Sequence, residues 1–146
     1  MNTCSSVTIN PNYIITGRFS APRIEFRSQY PRMLRNNIDK KEFDEILQTI
    51  GTFVNAEFTK LFETQRQNYV SNIPCFFLPM VHLFKMNSLR MKFQEEYLEF
   101  ERVVDDYIYK LNCDLLLEEK GVEVLTSWQE TRGGIRREIR LVFNLI

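Results

Sequence analysis

The stretch Ile38-Asp39-Lys40-Lys41-Glu42-Phe43 decides how the fold of this 146-residue chain is interpreted. Asp39 is a preferred N-cap residue, and Glu42 follows it by three positions, as in a capping box. Ile38 and Phe43 take the two positions of a hydrophobic staple, in which apolar side chains pack across the first helical turn. Together the cap and the staple predict that a long helix begins immediately after Asp39.

Apolar residues continue from this start at helical spacing and form a single stripe. The stripe predicts one amphipathic helix that ends near Gln65, although Gly51 weakens its interior by up to about 1 kcal/mol relative to alanine. Its members are Phe43, Ile46, Leu47, Ile50, Val54, Phe58, Leu61 and Phe62.

The residues before the helix divide into a polar tail and two predicted strands. Residues 1–11 are rich in serine, threonine and asparagine and are predicted to form a mobile tail. The β-branched and aromatic residues of Tyr13–Phe19 predict one strand. After a turn at Ala21-Pro22, Arg23–Phe26 alternates polar and apolar residues, as a half-buried strand does.

A nearly uncharged segment, Ile73–Phe84, follows the first helix within the apolar region 69–86. It is shorter than the roughly 20 residues that a membrane-spanning helix needs, and two prolines interrupt it. From Gln67 to Lys92 the only charges are Lys85, Arg90 and Lys92, which are all basic and suit an anionic membrane surface. The segment is therefore either a buried core element or a segment that dips into a membrane face or a membrane-bound partner.

A second long helix is predicted after this segment, with Asn87 or Ser88 as its cap. Steps of four and three produce a coiled-coil seam of Phe93, Tyr97, Phe100, Val104, Tyr107 and Leu111. Val103, Ile108 and Leu115 widen this seam, which favours packing inside a domain. The opposite face is predicted to be solvated and carries Glu95, Glu96, Glu99, Glu101, Asp105 and Asp106.

The C-terminal part predicts a hairpin. Gly121 is a plausible helix stop, Val122–Gln129 reads as a strand, and Gly133-Gly134 is a turn signal. Beyond the turn, apolar residues alternate with polar ones from Ile139 to Leu145. The predicted fold is α+β: a small antiparallel sheet in the order β-β-α-α-β-β, two long amphipathic helices, and a short apolar membrane-associating segment between them. Residues 12–146 are expected to form a single domain.

Composition and motifs narrow the classes of function. The 19 basic and 19 acidic side chains cancel, which argues against a nucleic-acid-binding domain. Met1–Asn10 lacks the apolar core of a signal peptide, and three widely spaced cysteines favour reduced thiols in the cytosol. The single histidine, His82, lies in the apolar segment. With no metal-ligand spacing and no phosphate-binding loop, we predict no catalytic residue, metal or cofactor.

One block of the chain resembles a known family. Phe26-Arg27-Ser28-Gln29-Tyr30-Pro31-Arg32-Met33-Leu34, followed by Ile38-Asp39-Lys40-Lys41-Glu42-Phe43, is similar to the golgin subfamily A member 7 family, which includes the yeast accessory subunit of Ras palmitoyltransferase. The likeness continues more weakly from Arg18 to Phe143, and the cysteine-rich hydrophobic proteins share this layout. Pro31 also has a local role, because it keeps Tyr30 extended.

The resemblance implies a non-catalytic regulatory subunit of a palmitoyltransferase complex. Such a subunit binds and stabilises an integral-membrane protein S-acyltransferase of the Asp-His-His-Cys type, and supports palmitoylation and membrane targeting of substrates such as Ras. The expected location is peripheral, on the cytosolic face of the Golgi apparatus or the endoplasmic reticulum. Expected partner-binding residues are Tyr30, Pro31 and Leu34, and expected membrane contacts are Phe76, Phe77, Leu78 and Phe84.

Cys75 is a possible S-acylation site, and a small buried cysteine is the alternative. Animal members of the family carry several cysteines in this segment, whereas here Ile73 and Pro74 stand close to where another would fall. Two other functions stay open. One is a Golgi membrane tether or trafficking scaffold without an acyltransferase, which would pair through the seam; the other is a small soluble enzyme or lipid carrier.

Overall fold

The computed structural model describes residues 6–15, 17, 21–71, 79–130 and 137–146, without the side chains of 69–71 and 79–87. The fold is α+β, with two long helices and five antiparallel strands. Strands β1 (Ser6–Ile9), β5 (Arg137–Leu145) and β4 (Val122–Glu130) form one sheet in that order, and β2 (Pro11–Ile14) pairs with β3 (Arg23–Phe26). The helices are α1 (Lys40–Ser71) and α2 (Pro79–Asp114), and a short 3-10 helix spans Arg32–Leu34.

The C-terminal strands and the strand at Arg23–Phe26 are as predicted. In the β4–β5 pair, Val122 faces Leu145 and Glu130 faces Arg137. The alternating side chains Ile139, Leu141 and Phe143 are all buried. The predicted turn at Gly133-Gly134 lies outside the described residues.

The N-terminal prediction is wrong for Ser6–Ile9. These residues form β1 and pair with β5, where Ile9 faces Leu141 and is almost completely buried. The segment reads as polar because apolar residues occupy only alternate positions, Val7 and Ile9, as they do in a strand that covers one side of a core. The next strand also begins earlier than predicted, at Pro11, and ends at Ile14.

The start of α1 is as predicted. The backbone N–H of Glu42 donates to Oδ1 of Asp39 at 2.7 Å, and Ile38 and Phe43 are buried. The Glu42 carboxylate pairs with Lys120 Nζ at 2.8 Å. The first turn of α1 is thereby linked to the turn that follows α2.

Helices α1 and α2 form a helical hairpin, and both are longer than predicted at the ends that the apolar segment connects. Helix α1 continues to Ser71 instead of ending near Gln65, and α2 begins at Pro79 instead of after Asn87 or Ser88. Packing between the helices accounts for the first difference, since Asn68 bonds Glu96 at 3.3 Å and Lys92 at 3.4 Å. Proline suits the first helical position, where no N–H is needed.

The predicted coiled-coil seam of α2 is part of the core from Tyr97 to Leu111, whereas Phe93 is half-buried and lies outside the core cluster. The ring of Tyr107 stacks on that of Phe53 of α1, with 3.7 Å between the ring centroids. The ring centroid of Phe100 lies 6.0 Å from that of Phe58 and 5.9 Å from that of Trp128. Leu115 departs from the prediction and is exposed, because α2 ends at Asp114. The seam is therefore covered by α1 and by the sheet.

An asparagine side chain ties each helix to the edge of a strand. Asn112 of α2 donates to the Val124 carbonyl at 2.7 Å and accepts from the Val124 N–H at 2.9 Å. Asn55 of α1 makes the same two bonds with Ile24, both at 2.5 Å. A side-chain amide thus takes the place of a neighbouring strand and satisfies edge groups that would otherwise be unpaired.

Gly121 acts in a turn rather than at the end of α2. Its φ is +78°, a conformation that glycine adopts without strain. A Cβ at this position would stand 2.8 Å from Nδ2 of Asn37, which donates to the Lys120 carbonyl. The glycine lets the chain turn tightly from α2 into β4.

Candidate functional site

The helical hairpin extends beyond the sheet. The Tyr97 hydroxyl donates to the carbonyl of Arg137, where β5 begins, whereas α2 starts eighteen residues earlier at Pro79, a length of about 27 Å. On α1 the buried stripe ends at Leu61, and ten more residues, about 15 Å of helix, lead to Ser71. The apolar segment follows α1 and leads into α2 at this end.

The predicted membrane contacts lie mostly outside the described residues. This applies to Cys75, Phe76, Phe77 and Leu78, while Phe84 lies in α2 with its side chain not described. The second half of the apolar segment is helical, because α2 begins at Pro79. In the described ranges no helix combines the length and the apolar character needed to cross a membrane.

The predicted partner-binding residues Tyr30, Pro31 and Leu34 form a corner of the chain, the Tyr30 corner, which packs against the start of α1. The Tyr30 hydroxyl donates to the Ile38 carbonyl, and its ring centroid lies 5.8 Å from that of Phe43. Leu34 is fully buried and belongs to the hydrophobic core below the corner. Tyr30 and Pro31 are partly exposed and remain accessible.

A groove of about 720 Å³ opens beside this corner, between α1 and the extended chain from Arg23 to Tyr30. Phe26, Leu47 and Gly51 contribute its least polar part. Asn55 stands at one end, where it is bonded to Ile24, and Tyr30 and Lys40 stand at the other. The groove thus runs along β3 and along four turns of α1.

Charged side chains surround this groove. The Glu25 carboxylate lies between two guanidinium groups, at 3.4 Å from Arg23 and 2.8 Å from Arg27. Both arginines are more than half exposed, whereas Glu25 is mostly covered. Lys40 and Asp44 are exposed on the wall that α1 forms.

A second, smaller cleft of about 390 Å³ lies between the two helices. Four glutamates line it, Glu57, Glu95, Glu96 and Glu99, with Lys60 beside them. Lys60 pairs with Glu57 at 3.2 Å. The cleft is acidic and open, and its charged groups are partly neutralised by neighbours on the same helix.

Glu101 corrects the prediction of a uniformly solvated acidic face. It is 6% exposed and accepts from Arg137 at 3.1 Å through Oε2. Among the described residues its Oε1 has no hydrogen-bond partner. Burial raises the pKa of the Glu101 carboxyl, Arg137 opposes that rise, and Asp105 adds to it. Asp105, on the same helix, accepts hydrogen bonds from Thr126 and Trp128.

The described residues do not assemble a metal centre. No three histidine, cysteine, aspartate or glutamate side chains within those ranges are grouped so that they could hold a metal ion. Cys113 is exposed, and the side chain of His82 is not described. The features that remain for function are the hairpin end, the Tyr30 corner and the groove beside it.

Comparisons with known proteins find no match to a family model, a curated protein or a solved structure. The likeness of residues 26–43 to the golgin subfamily A member 7 family therefore stays a hypothesis that rests on those residues.

Sequence reasoning missed the groove and the asparagine bridges. In the sequence Gly51 indicates only a weak point in a helix, whereas in the structure it lies opposite Phe26 at the groove. Asn55 and Asn112 carry no local signal for a bridge, since their partners are 31 and 12 residues away.

Proposed function

We propose that this protein is a non-catalytic accessory subunit of an integral-membrane Asp-His-His-Cys protein S-acyltransferase. It would bind and stabilise the enzyme on the cytosolic face of the Golgi or endoplasmic reticulum and support palmitoylation of substrates such as Ras. The observation that carries the proposal is the position of the apolar segment, between two helices whose ends extend beyond the sheet. The resemblance of residues 26–43 supplies the identity of the partner.

The position of the segment suits a contact with a membrane or with the membrane edge of an enzyme. Phe76 and Phe77 belong to the connection between α1 and α2, and Lys85, Arg90 and Lys92 follow it along the chain. Each basic side chain near an anionic leaflet contributes about 1 kcal/mol. Apolar anchors followed by cations are typical of a peripheral membrane contact.

Burial of the seam favours an accessory subunit over a coiled-coil tether. A tether of the kind considered above would pair through Tyr97, Phe100 and Val104. In this fold Phe100 and Val104 are buried, and Tyr97 packs beside Phe100. Pairing in a coiled coil would require α2 to leave the sheet.

The deciding experiment is affinity purification of the tagged full-length chain from native membranes in mild detergent, with mass spectrometry of the associated proteins. We expect a multi-pass Asp-His-His-Cys protein in near-stoichiometric amount. Recovery of trafficking proteins without an acyltransferase would favour the tether. Binding of free fatty acid or acyl-CoA by the purified chain alone would favour a lipid carrier.

Replacing Phe76 and Phe77 together by aspartate is expected to release the chain from membranes, since two charges then replace the apolar anchors. Leu98→Asp with Tyr109→Asp is the matched control. Both residues are exposed on α2, and the two substitutions add the same charge as the pair at Phe76 and Phe77. Membrane flotation measures the bound fraction, and thermal unfolding shows that both variants fold. An unchanged bound fraction for the Phe76 and Phe77 variant would contradict the role of the segment.

A further inference from the structure

We propose that the groove between β3 and α1 binds an extended peptide segment of a partner protein, which carries an acidic residue and pairs with the free edge of β3. This proposal is independent of the accessory-subunit function. It rests on the direction of the backbone groups of β3, on the space opposite Gly51, on the length of the groove and on its charge.

The edge of β3 that faces the groove has an unused pair of backbone groups. Both the N–H and the C=O of Ile24 bond Asn55, so they point away from β2. In an antiparallel ladder the backbone groups of residues two apart point to the same side. The groups of Phe26 therefore point toward the groove, and within the described chain neither has a hydrogen-bond partner there.

Asn55 indicates what kind of group fits this edge. Its side-chain amide donates to and accepts from Ile24 as the backbone of a neighbouring strand would. Asn55 satisfies the backbone N–H and C=O of Ile24 at one end of the groove. The backbone groups of Phe26, the next residue on the same edge, are left without such a partner. A peptide backbone extends the same pattern, since strand addition to a sheet edge is a common mode of peptide recognition.

Gly51 provides the width that a peptide needs. A Cβ built at this position makes an ordinary van der Waals contact with Cδ2 of Phe26 at 3.9 Å, and beyond its own stretch of helix it meets no other heavy atom within 4 Å. A larger side chain there would occupy the groove beside Phe26. The absence of a side chain in the middle of a long helix, at a cost of up to about 1 kcal/mol, thus keeps the groove open.

The two walls have matching lengths. Along α1 the groove runs from Asn55 back to Lys40, fifteen residues or about 22 Å. Along the other wall the chain from Ile24 to Tyr30 spans six residues, about 20 Å when extended. A segment of about six extended residues fills this length.

The net charge of the groove walls favours an acidic peptide. The β3 wall carries the guanidinium groups of Arg23 and Arg27 and the carboxylate of Glu25, a net charge of +1 on largely exposed cations. On the helix wall Lys40 and Asp44 balance each other. A carboxylate on the peptide reaches Arg27, whose side chain is 77% exposed, whereas a basic peptide meets uncompensated positive charge.

The test is a selection from a random decapeptide display library against the full-length chain, with counter-selection against Gly51→Leu. Selected peptides are synthesised, and their affinities are measured by fluorescence anisotropy. We expect acidic peptides that bind Gly51→Leu at least about tenfold more weakly, a difference of about 1.4 kcal/mol. Ala56→Leu, an exposed position of α1 outside the groove, is the matched control and should leave binding unchanged.

Amide hydrogen exchange distinguishes strand pairing from other modes of binding. The Phe26 amide should exchange rapidly in the free chain and slow by at least about tenfold with a selected peptide, because it then donates a hydrogen bond. Peptides methylated at alternate backbone nitrogens should lose affinity. If Gly51→Leu does not fold, Gly51→Ala, whose Cβ makes only ordinary contact, narrows the groove in its place.

Three outcomes would overturn the proposal. The first is a selection in which no peptide is enriched on the wild-type chain relative to the Gly51→Leu variant. The second is a set of enriched peptides that are basic or leave exchange at Phe26 unchanged. The third is self-association of the wild-type chain, seen by sedimentation, that Gly51→Leu abolishes, since the groove would then belong to a second copy.

Discussion

At the scale of single residues, the start of α1 is held by three different interactions. Asp39 caps the helix through the Glu42 N–H, Tyr30 donates to the Ile38 carbonyl, and Phe43 packs between the rings of Tyr30 and Phe143. Each of these interactions acts over a short distance and contributes modestly to stability. Together they set the direction in which α1 leaves the Tyr30 corner, and therefore the shape of the groove beside it.

Removing the cap or the staple tests this account. Asp39→Ala should lower the free energy of unfolding by about 1 kcal/mol, because the Glu42 N–H loses its acceptor. Ile38→Ala should cost about 2 to 5 kcal/mol, since the side chain is buried. Urea unfolding measures both, with Lys41→Ala as an exposed control. If neither variant lowers the unfolding midpoint, the cap and staple are wrongly assigned.

Glu101 makes stability depend on pH. Burial raises its pKa in the folded chain above the ordinary value of 4.5, so the folded state holds the proton more tightly than the unfolded state. The stabilisation by the protonated carboxyl is complete below the unfolded pKa and is lost as pH rises through the folded pKa. The difference in unfolding free energy between wild type and Glu101→Gln should therefore fall as the pH rises from about 4.5 through the folded pKa of Glu101.

Urea unfolding across this pH range checks the prediction, and Glu118→Gln is the control at an exposed glutamate. The control should show no comparable change relative to wild type. A difference between wild type and Glu101→Gln that stays constant with pH would mean that the Glu101 carboxyl titrates alike in the folded and unfolded chains.

At the scale of elements, the helices are fastened to strand edges as well as packed on apolar faces. Asn112 joins α2 to β4, and Asn55 joins α1 to β3. A short sheet has two edges with unpaired backbone groups, and covering them with helices prevents pairing with other chains. Beyond the Asn55 bridge the edge of β3 is open at Phe26, where the groove lies.

Asn112→Ala should destabilise the fold more than an exposed asparagine does. Val124 is fully buried, so the change leaves a buried N–H and a buried C=O without partners, at a cost of about 1 to 3 kcal/mol for each such group. Asn36→Ala is the control, since Asn36 is exposed. Chemical unfolding of both variants measures the effect. Equal stability of the two would show that water or a small shift replaces the bridge.

At the scale of the whole molecule, the structure is polarised along the helices. The sheet and the Tyr30 corner lie toward the start of α1 and the end of α2, and the apolar segment joins the helices at their other ends. Two separate contacts are therefore possible, one at the hairpin end and one in the groove.

Local patterns were sufficient for much of this fold. The cap at Asp39, the stripe of α1 and the alternation in β5 each involve residues within a few positions of one another, so their signals are present in the sequence alone. The same is true of the apolar segment, whose character depends only on composition. These patterns determined the α+β class, both helices and the C-terminal hairpin strands.

Tertiary contacts decided the rest. Ser6–Ile9 becomes a strand because β5, more than 130 residues later, offers it an edge. The last turns of α1 persist because Asn68 meets α2, and Glu101 is buried because the sheet covers its side of the helix. The groove exists only where β3 and α1 lie side by side. Such features depend on pairings between distant residues, which no local pattern contains.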